Sequence, residues 1–207
     1  MDDARKVRDF WFGKTPLSPE QLPRRMKLWF GDVPEETKQQ IDDALRARFA
    51  SHVERAINGE LAQWADGPRR RLSLILLLDQ FPRNIYRGTA RAFAGDEQAL
   101  QLALTGMQSV ADAALNLVER IFFYLPLQHA ESLEVQEESV AAYKRLLGEA
   151  PAEVRGVFEE CVMFAEQHRE VVRRFGRFPQ RNVALGRTAT AEEQEWLGSG
   201  SPQTPGG

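Results

Sequence analysis

Two stretches of this chain carry the same residue types in nearly the same order. Phe81-Pro82-Arg83-Asn84-Ile85-Tyr86-Arg87-Gly88-Thr89 is echoed by Phe178-Pro179-Gln180-Arg181-Asn182-Val183-Ala184-Leu185-Gly186-Arg187-Thr188. Each ends an apolar run with Phe-Pro, offers an Arg-Asn pair, and runs through apolar residues to an arginine, a glycine and a threonine. Arginine brings five donors and asparagine tolerates turns, so one use of the pair is to tie off helix carbonyls. The other is recognition: two such pairs facing one hollow form a clamp for a carboxylate or phosphate, each charge-assisted bond contributing on the order of 1.5–3 kcal/mol. The clamp residues would be Asp79, Arg83, Asn84 and Arg87 from the first stretch and Arg177, Arg181 and Asn182 from the second.

Proton chemistry has two candidates. His129 follows Pro126 closely and stands beside Glu131, and a histidine next to a carboxylate titrates in a useful range. His168 falls on the apolar face of its helix, a placement equally suited to a core histidine. With no Glu-x-x-His, no His-Glu-x-x-His and one cysteine, Cys161, neither a zinc nor a di-iron site is expected, and no cofactor is implied. A Walker loop, a dinucleotide glycine fingerprint and a Gly-x-Ser-x-Gly elbow are absent as well. Arginines crowd both motifs: Arg83, Arg87 and Arg91 recur every fourth residue, and Arg173, Arg174, Arg177, Arg181 and Arg187 surround the second. Asp79, Glu119, Glu131, Glu166 and Glu170 are the carboxylates that would answer them in a purely structural ion-pair network.

These residues need elements to hold them. Leu72-Ser73-Leu74-Ile75-Leu76-Leu77-Leu78 is apolar all round and too short to cross a bilayer, which predicts a buried central helix. Pro82 is expected to stop it, delivering Asp79, Arg83, Asn84 and Arg87 at its end. A second apolar helix from Leu115 to Leu125 is expected to stop at Pro126. Pro16, Pro19 and Pro23 predict a loop between two aromatic helix ends, Phe10-Trp11-Phe12-Gly13 and Leu28-Trp29-Phe30-Gly31. Apolar residues at threes and fours predict long helices after Pro34 and after Pro151, the latter capped by Gly176. Ser132 suits a helix cap, and Thr190 with Glu193 forms a capping box. Period-two alternation and hairpin signals are missing, so the expected fold is all-α: one domain over 1–197, of eight to ten antiparallel helices, with a disordered tail at 198–207.

The chain has 207 residues, 28% charged and 43% hydrophobic, with a net charge of −3. That balance excludes general disorder and disfavours a nucleic-acid or anionic-membrane binder. The single cysteine and the absence of an apolar leader core suggest a cytoplasmic protein.

The motif from Leu78 to Phe93, together with Phe123-Tyr124-Leu125-Pro126-Leu127-Gln128-His129 and the run from His168 to Asn182, resembles the bacterial family catalogued as domain of unknown function 924. The likeness extends from about Val7 to Leu197 and departs at Gln180, where the family pattern implies a histidine. The resemblance implies a tetratricopeptide-like helical array and no particular reaction. Two functional expectations follow. One is a pocket for a small anionic molecule, lined by the Arg and Asn residues named above, with His129 or His168 supplying proton chemistry. The other is a helical scaffold that grips a peptide or protein partner, the motifs being structural. The aromatic clusters around Trp11 and Trp29 offer a homodimer contact.

Overall fold

The computed structural model describes residues 2–13, 17–31 and 33–199. Pro16 and the end of the expected tail, residues 200–207, lie outside these. The chain is all-α, with no strand among the described residues. Its α-helices are α1 (Asp3–Phe12), α2 (Gln21–Trp29), α3 (Glu35–Ile57), α4 (Pro68–Ile75), α5 (Phe81–Ile85), α6 (Asp96–Gln108), α7 (Leu117–Gln128), α8 (Leu133–Glu149), α9 (Arg155–Phe175) and α10 (Ala191–Gly198). The short connections after α7 and α8 fold α7, α8 and α9 back on one another as consecutive neighbours. That packing is compatible with the tetratricopeptide-like arrangement. No helix among the described residues is long and apolar enough to cross a membrane.

The central rod is longer than its prolines suggest. Between α4 and α5 the backbone widens into a π-helical turn over Leu76–Gln80, where the Phe81 N–H reaches the Leu76 carbonyl five residues back. A proline in an α-helix clashes with the carbonyl four residues earlier and removes a donor. The wider turn just before Pro82 relieves the clash, so the helix runs through Pro82 to Ile85 instead of stopping there. Pro126 likewise lies inside α7, which continues to Gln128. Pro23 sits in the first turn of α2, where its missing N–H costs nothing, so a helix replaces part of the expected loop. A single 3-10 turn at Ala152–Val154 precedes α9. The C-terminal helix extends to Gly198, the first residue of the expected tail.

Burial explains why this rod organises the molecule. Every residue from Leu72 to Pro82 is buried. Around it, the two aromatic helix ends meet on Phe122 of α7: the ring centroids of Trp11, Phe12, Trp29 and Phe30 lie 5.6, 5.4, 4.8 and 6.0 Å from it. Two glycines set how closely α6 approaches. A Cβ on Gly95 would come within 2.4 Å of the Leu78 carbonyl oxygen, and one on Gly106 within 2.5 Å of the Phe123 ring. Arg71, at the start of the rod, spans to α6 and donates to the Leu102 carbonyl and the Thr105 hydroxyl. The rod, α6 and α7 are thereby locked side by side, and their polar ends fall together.

Candidate functional site

The π turn places Asp79 and Gln80 at the buried end of the rod and α5 adds Arg83. Asp79 is fully buried, yet three donors reach its two oxygens. His129 Nδ1 lies 2.7 Å from Oδ1 and Arg83 Nη1 3.2 Å from the same oxygen, while Gln80 Nε2 donates to Oδ2 at 2.6 Å. Burial alone would push this carboxyl up. The Arg83 charge, joined by the hydrogen bonds from His129 and Gln80, outweighs it and holds Asp79 well below the ordinary carboxylate range. For His129 the balance goes the other way: burial, then the nearby Arg83 charge, lowers the imidazole despite Asp79. At neutral pH the pair is therefore a neutral imidazole donating Nδ1–H to a carboxylate, and Arg83 supplies the compensating cation. Asp79 fixes both the tautomer and the ring orientation, which leaves Nε2 as the basic nitrogen.

Asp96, in the first turn of α6, joins the two sequence motifs. Arg83 grips it with Nη1 and Nη2 at 2.8 and 2.9 Å, and Arg181 Nη1 approaches it at 3.4 Å. Arg181 Nη1 also donates to the His129 carbonyl at 3.1 Å. The Arg181 guanidinium is stacked against two rings, 4.9 Å from the Phe93 centroid and 4.5 Å from that of Phe178. Its Nε is buried without a hydrogen-bond partner among the described residues. Burial and the repulsion of Arg83 pull its pKa down to about 10, the sign of a cation whose surroundings do not fully compensate it. Arg181, His129, Phe93, Asp96, Glu97 and Glu131 line an open groove of about 410 Å³.

The rest of the expected clamp turns away from this groove, in matched fashion. Asn84 Nδ2 and Arg87, through Nε and Nη2, close on Asp42 of α3. Asn182 Nδ2 and Arg177, through Nε and Nη2, close on Glu193 of α10. In each motif the arginine of the Arg-Asn pair goes to the shared Asp96 and the asparagine goes to a carboxylate on a distant helix. The near-repeat in sequence is a near-repeat in contacts. Arg187 completes the second motif by gripping Glu131 through both terminal nitrogens, at 2.7 and 3.0 Å. Thus Asp79, Arg83, His129 and Arg181 converge, while Asn84 and Arg87, and separately Arg177 and Asn182, fasten other helices.

His168 is buried behind this cluster, its ring centroid 6.4 Å from that of His129 and 5.6 Å from that of Phe178. Its Nδ1 lies 2.8 Å from the Phe164 carbonyl oxygen, one helical turn earlier, and 3.1 Å from Gln128 Nε2. A protonated Nδ1 donates to the carbonyl, and a bare Nδ1 accepts from the Gln128 amide.

The carboxylates that answer the arginines include Asp79, Glu131 and Glu170, the last paired with Arg173, as expected from sequence. Glu119 instead closes the capping box of α7, and Glu166 pairs with Lys144. Asp42, Asp96 and Glu193 take their places. Asp96 and Glu193 were hidden because acids in a first helical turn are already explained by the helix dipole and by capping. Among the described residues no group of His, Cys, Asp and Glu is placed to hold a metal ion.

The Glu193 clamp carries a pH signature. Arg177 foremost holds its carboxyl down at about 2, against an ordinary 4.5. A carboxyl depressed in the folded state stabilises above its unfolded value and loses that contribution as pH falls. Docking of α10 is therefore expected to weaken from about pH 4.5 down through 2. Carboxyl-carbon NMR of Glu193 checks this, and a midpoint at the ordinary value would contradict it.

A family model described as a bacterial protein of unknown function, DUF924, matches residues 7–201. Among solved structures, a protein of unknown function from Agrobacterium tumefaciens matches with 34% identity and a TM-score of 0.75, over 95% of this chain and 97% of that one. The comparison with curated proteins gave no match.

Proposed function

Because the chain belongs to the DUF924 family of bacterial proteins of unknown function, we propose a role from the site itself: the groove binds a small anion, carboxylate or phosphate, on Arg181, and His129 exchanges a proton with it. The observation that carries this reading is Arg181. A buried guanidinium is costly unless its donors are matched, and here Nε is unmatched while the Asp96 contact is long. Asp96 keeps both bonds from Arg83 if an incoming anion takes its place on Arg181. His129 lines the same groove, and its backbone carbonyl accepts from Arg181. A neutral imidazole whose Nδ1–H is held by a buried carboxylate is arranged to accept a proton at Nε2 and return it. Asn84, Arg87, Arg177 and Asn182 then belong to the scaffold, holding α3 and α10.

Those outer pairs favour the second reading, a helical scaffold whose motifs are structural, and the two readings separate at Arg181. Calorimetry and thermal-shift measurements with acetate, succinate and inorganic phosphate are expected to show binding to the parent chain. Arg181→Met keeps an apolar side chain between Phe93 and Phe178 and removes a repulsion with Arg83, so the fold should survive, as a circular-dichroism melt would verify. Affinity in that variant is expected to fall at least about tenfold, the loss of one charge-assisted contact. No binding by the parent chain, or undiminished binding by Arg181→Met, overturns the proposal.

A further inference from the structure

The groove is not uniformly positive. Arg181 is the cation in its lining, but three carboxylates line it too: Asp96, Glu97 and Glu131. Asp96 is held by Arg83 and Arg181, and Glu131 by Arg187. Glu97 differs. It is exposed in the first turn of α6 and receives one neutral hydrogen bond, from Gln101 Nε2 at 3.2 Å, with no cation bridged to it among the described residues. Much of the remaining lining is apolar, including Phe93, Leu100, Pro126 and Leu185.

These charges discriminate between anions. A phosphate dianion placed on Arg181 would meet three carboxylates in the same lining, and a simple monocarboxylate would meet them with nothing to offer in return. A molecule carrying both signs satisfies both poles: its carboxylate matches the paired donors of a guanidinium, and its ammonium offers Glu97 the cation it lacks. We infer that the ligand of this groove is a small zwitterion of the amino-acid type, its carboxylate on Arg181 and its ammonium at Glu97. The inference rests on the reading of Arg181 as the ligand anchor and adds the second contact that sets specificity.

Calorimetry on the full chain at about pH 7 tests it with matched probes: glycine, β-alanine and γ-aminobutyrate against acetate, propionate and butyrate, with inorganic phosphate alongside. At least one amino acid is expected to bind roughly tenfold tighter than the carboxylate lacking its amine. Glu97→Gln, an exposed and isosteric change, should abolish that margin by weakening the amino acid, while the plain carboxylate binds somewhat tighter because one repelling charge leaves the lining. Equal binding of matched probes, or a margin that survives in Glu97→Gln, overturns the zwitterion while leaving the Arg181 anchor standing. If no carboxylate, amino acid or phosphate binds, the anchor falls and the zwitterion falls with it.

Discussion

Asp79→Asn is expected to destabilise the protein by on the order of 3–5 kcal/mol, the cost of removing one partner from a buried charge pair. The carboxylate is fully buried and accepts from His129, Arg83 and Gln80. An amide offers one acceptor oxygen to these three donors. If that oxygen faces His129 and Arg83, Gln80 must turn its amide over to offer oxygen in place of its N–H. If it faces Gln80, the new N–H groups point at His129 and Arg83. Either way the carboxylate's three matched contacts are disturbed in a dry interior and Arg83 loses half of its counter-charge. The His129 ring also loses the group that fixes its tautomer, so any proton transfer at Nε2 should suffer in protein that still folds. Urea denaturation of the parent and the variant measures the stability term. A loss below about 1 kcal/mol, the range of an ordinary exposed pair, would mean that the cluster is solvated rather than buried.

Gly95→Ala is the second large effect, and it acts without touching a charge. The backbone here has an ordinary φ of −99°, so alanine meets no conformational penalty. Its cost is space: the new Cβ would lie 2.4 Å from the Leu78 carbonyl oxygen and 2.9 Å from the Leu78 Cα. Both are backbone atoms of the π turn and cannot swing aside as a side chain would. Either α6 withdraws from the rod, pulling Asp96 off Arg83 and Arg181, or the π turn deforms and displaces Asp79. Overpacking of this kind costs about 3 kcal/mol. The change should also weaken any ligand that depends on Arg181, because Asp96 is the next residue. Denaturation combined with calorimetry checks both consequences, and a variant of unchanged stability would show that the helices are not in the close contact described.

The helix class and most boundaries were legible because they follow from periodicity and capping, which act locally. Ser132 and Thr190 cap their helices and Gly176 ends α9 in the left-handed region, as their residue types imply. Proline was the misleading signal. The rule that proline ends a helix assumes a strict α repeat, and the π turn before Pro82 breaks that assumption where a buried rod has every energetic reason to continue. The convergence of Asp79, Arg83, His129 and Arg181 was legible in residue type only, since it depends on Asp96 arriving from another helix. Asp42 was illegible for the same reason, its partner Arg87 lying 45 residues away, while Glu193 was legible as the capping-box acid of α10 but not as the partner of Arg177, 16 residues away.

The proposed chemistry needs His129 neutral, with its Nδ1–H on Asp79 and Arg181 beside it. Nitrogen-15 NMR of His129, followed through pH with and without a small carboxylate, reads that state. A proton on Nδ1 is expected, with a midpoint below the ordinary 6.5 that rises when the carboxylate binds beside it. A His129 that titrates at or above its ordinary value, and that no carboxylate or phosphate shifts, would contradict it.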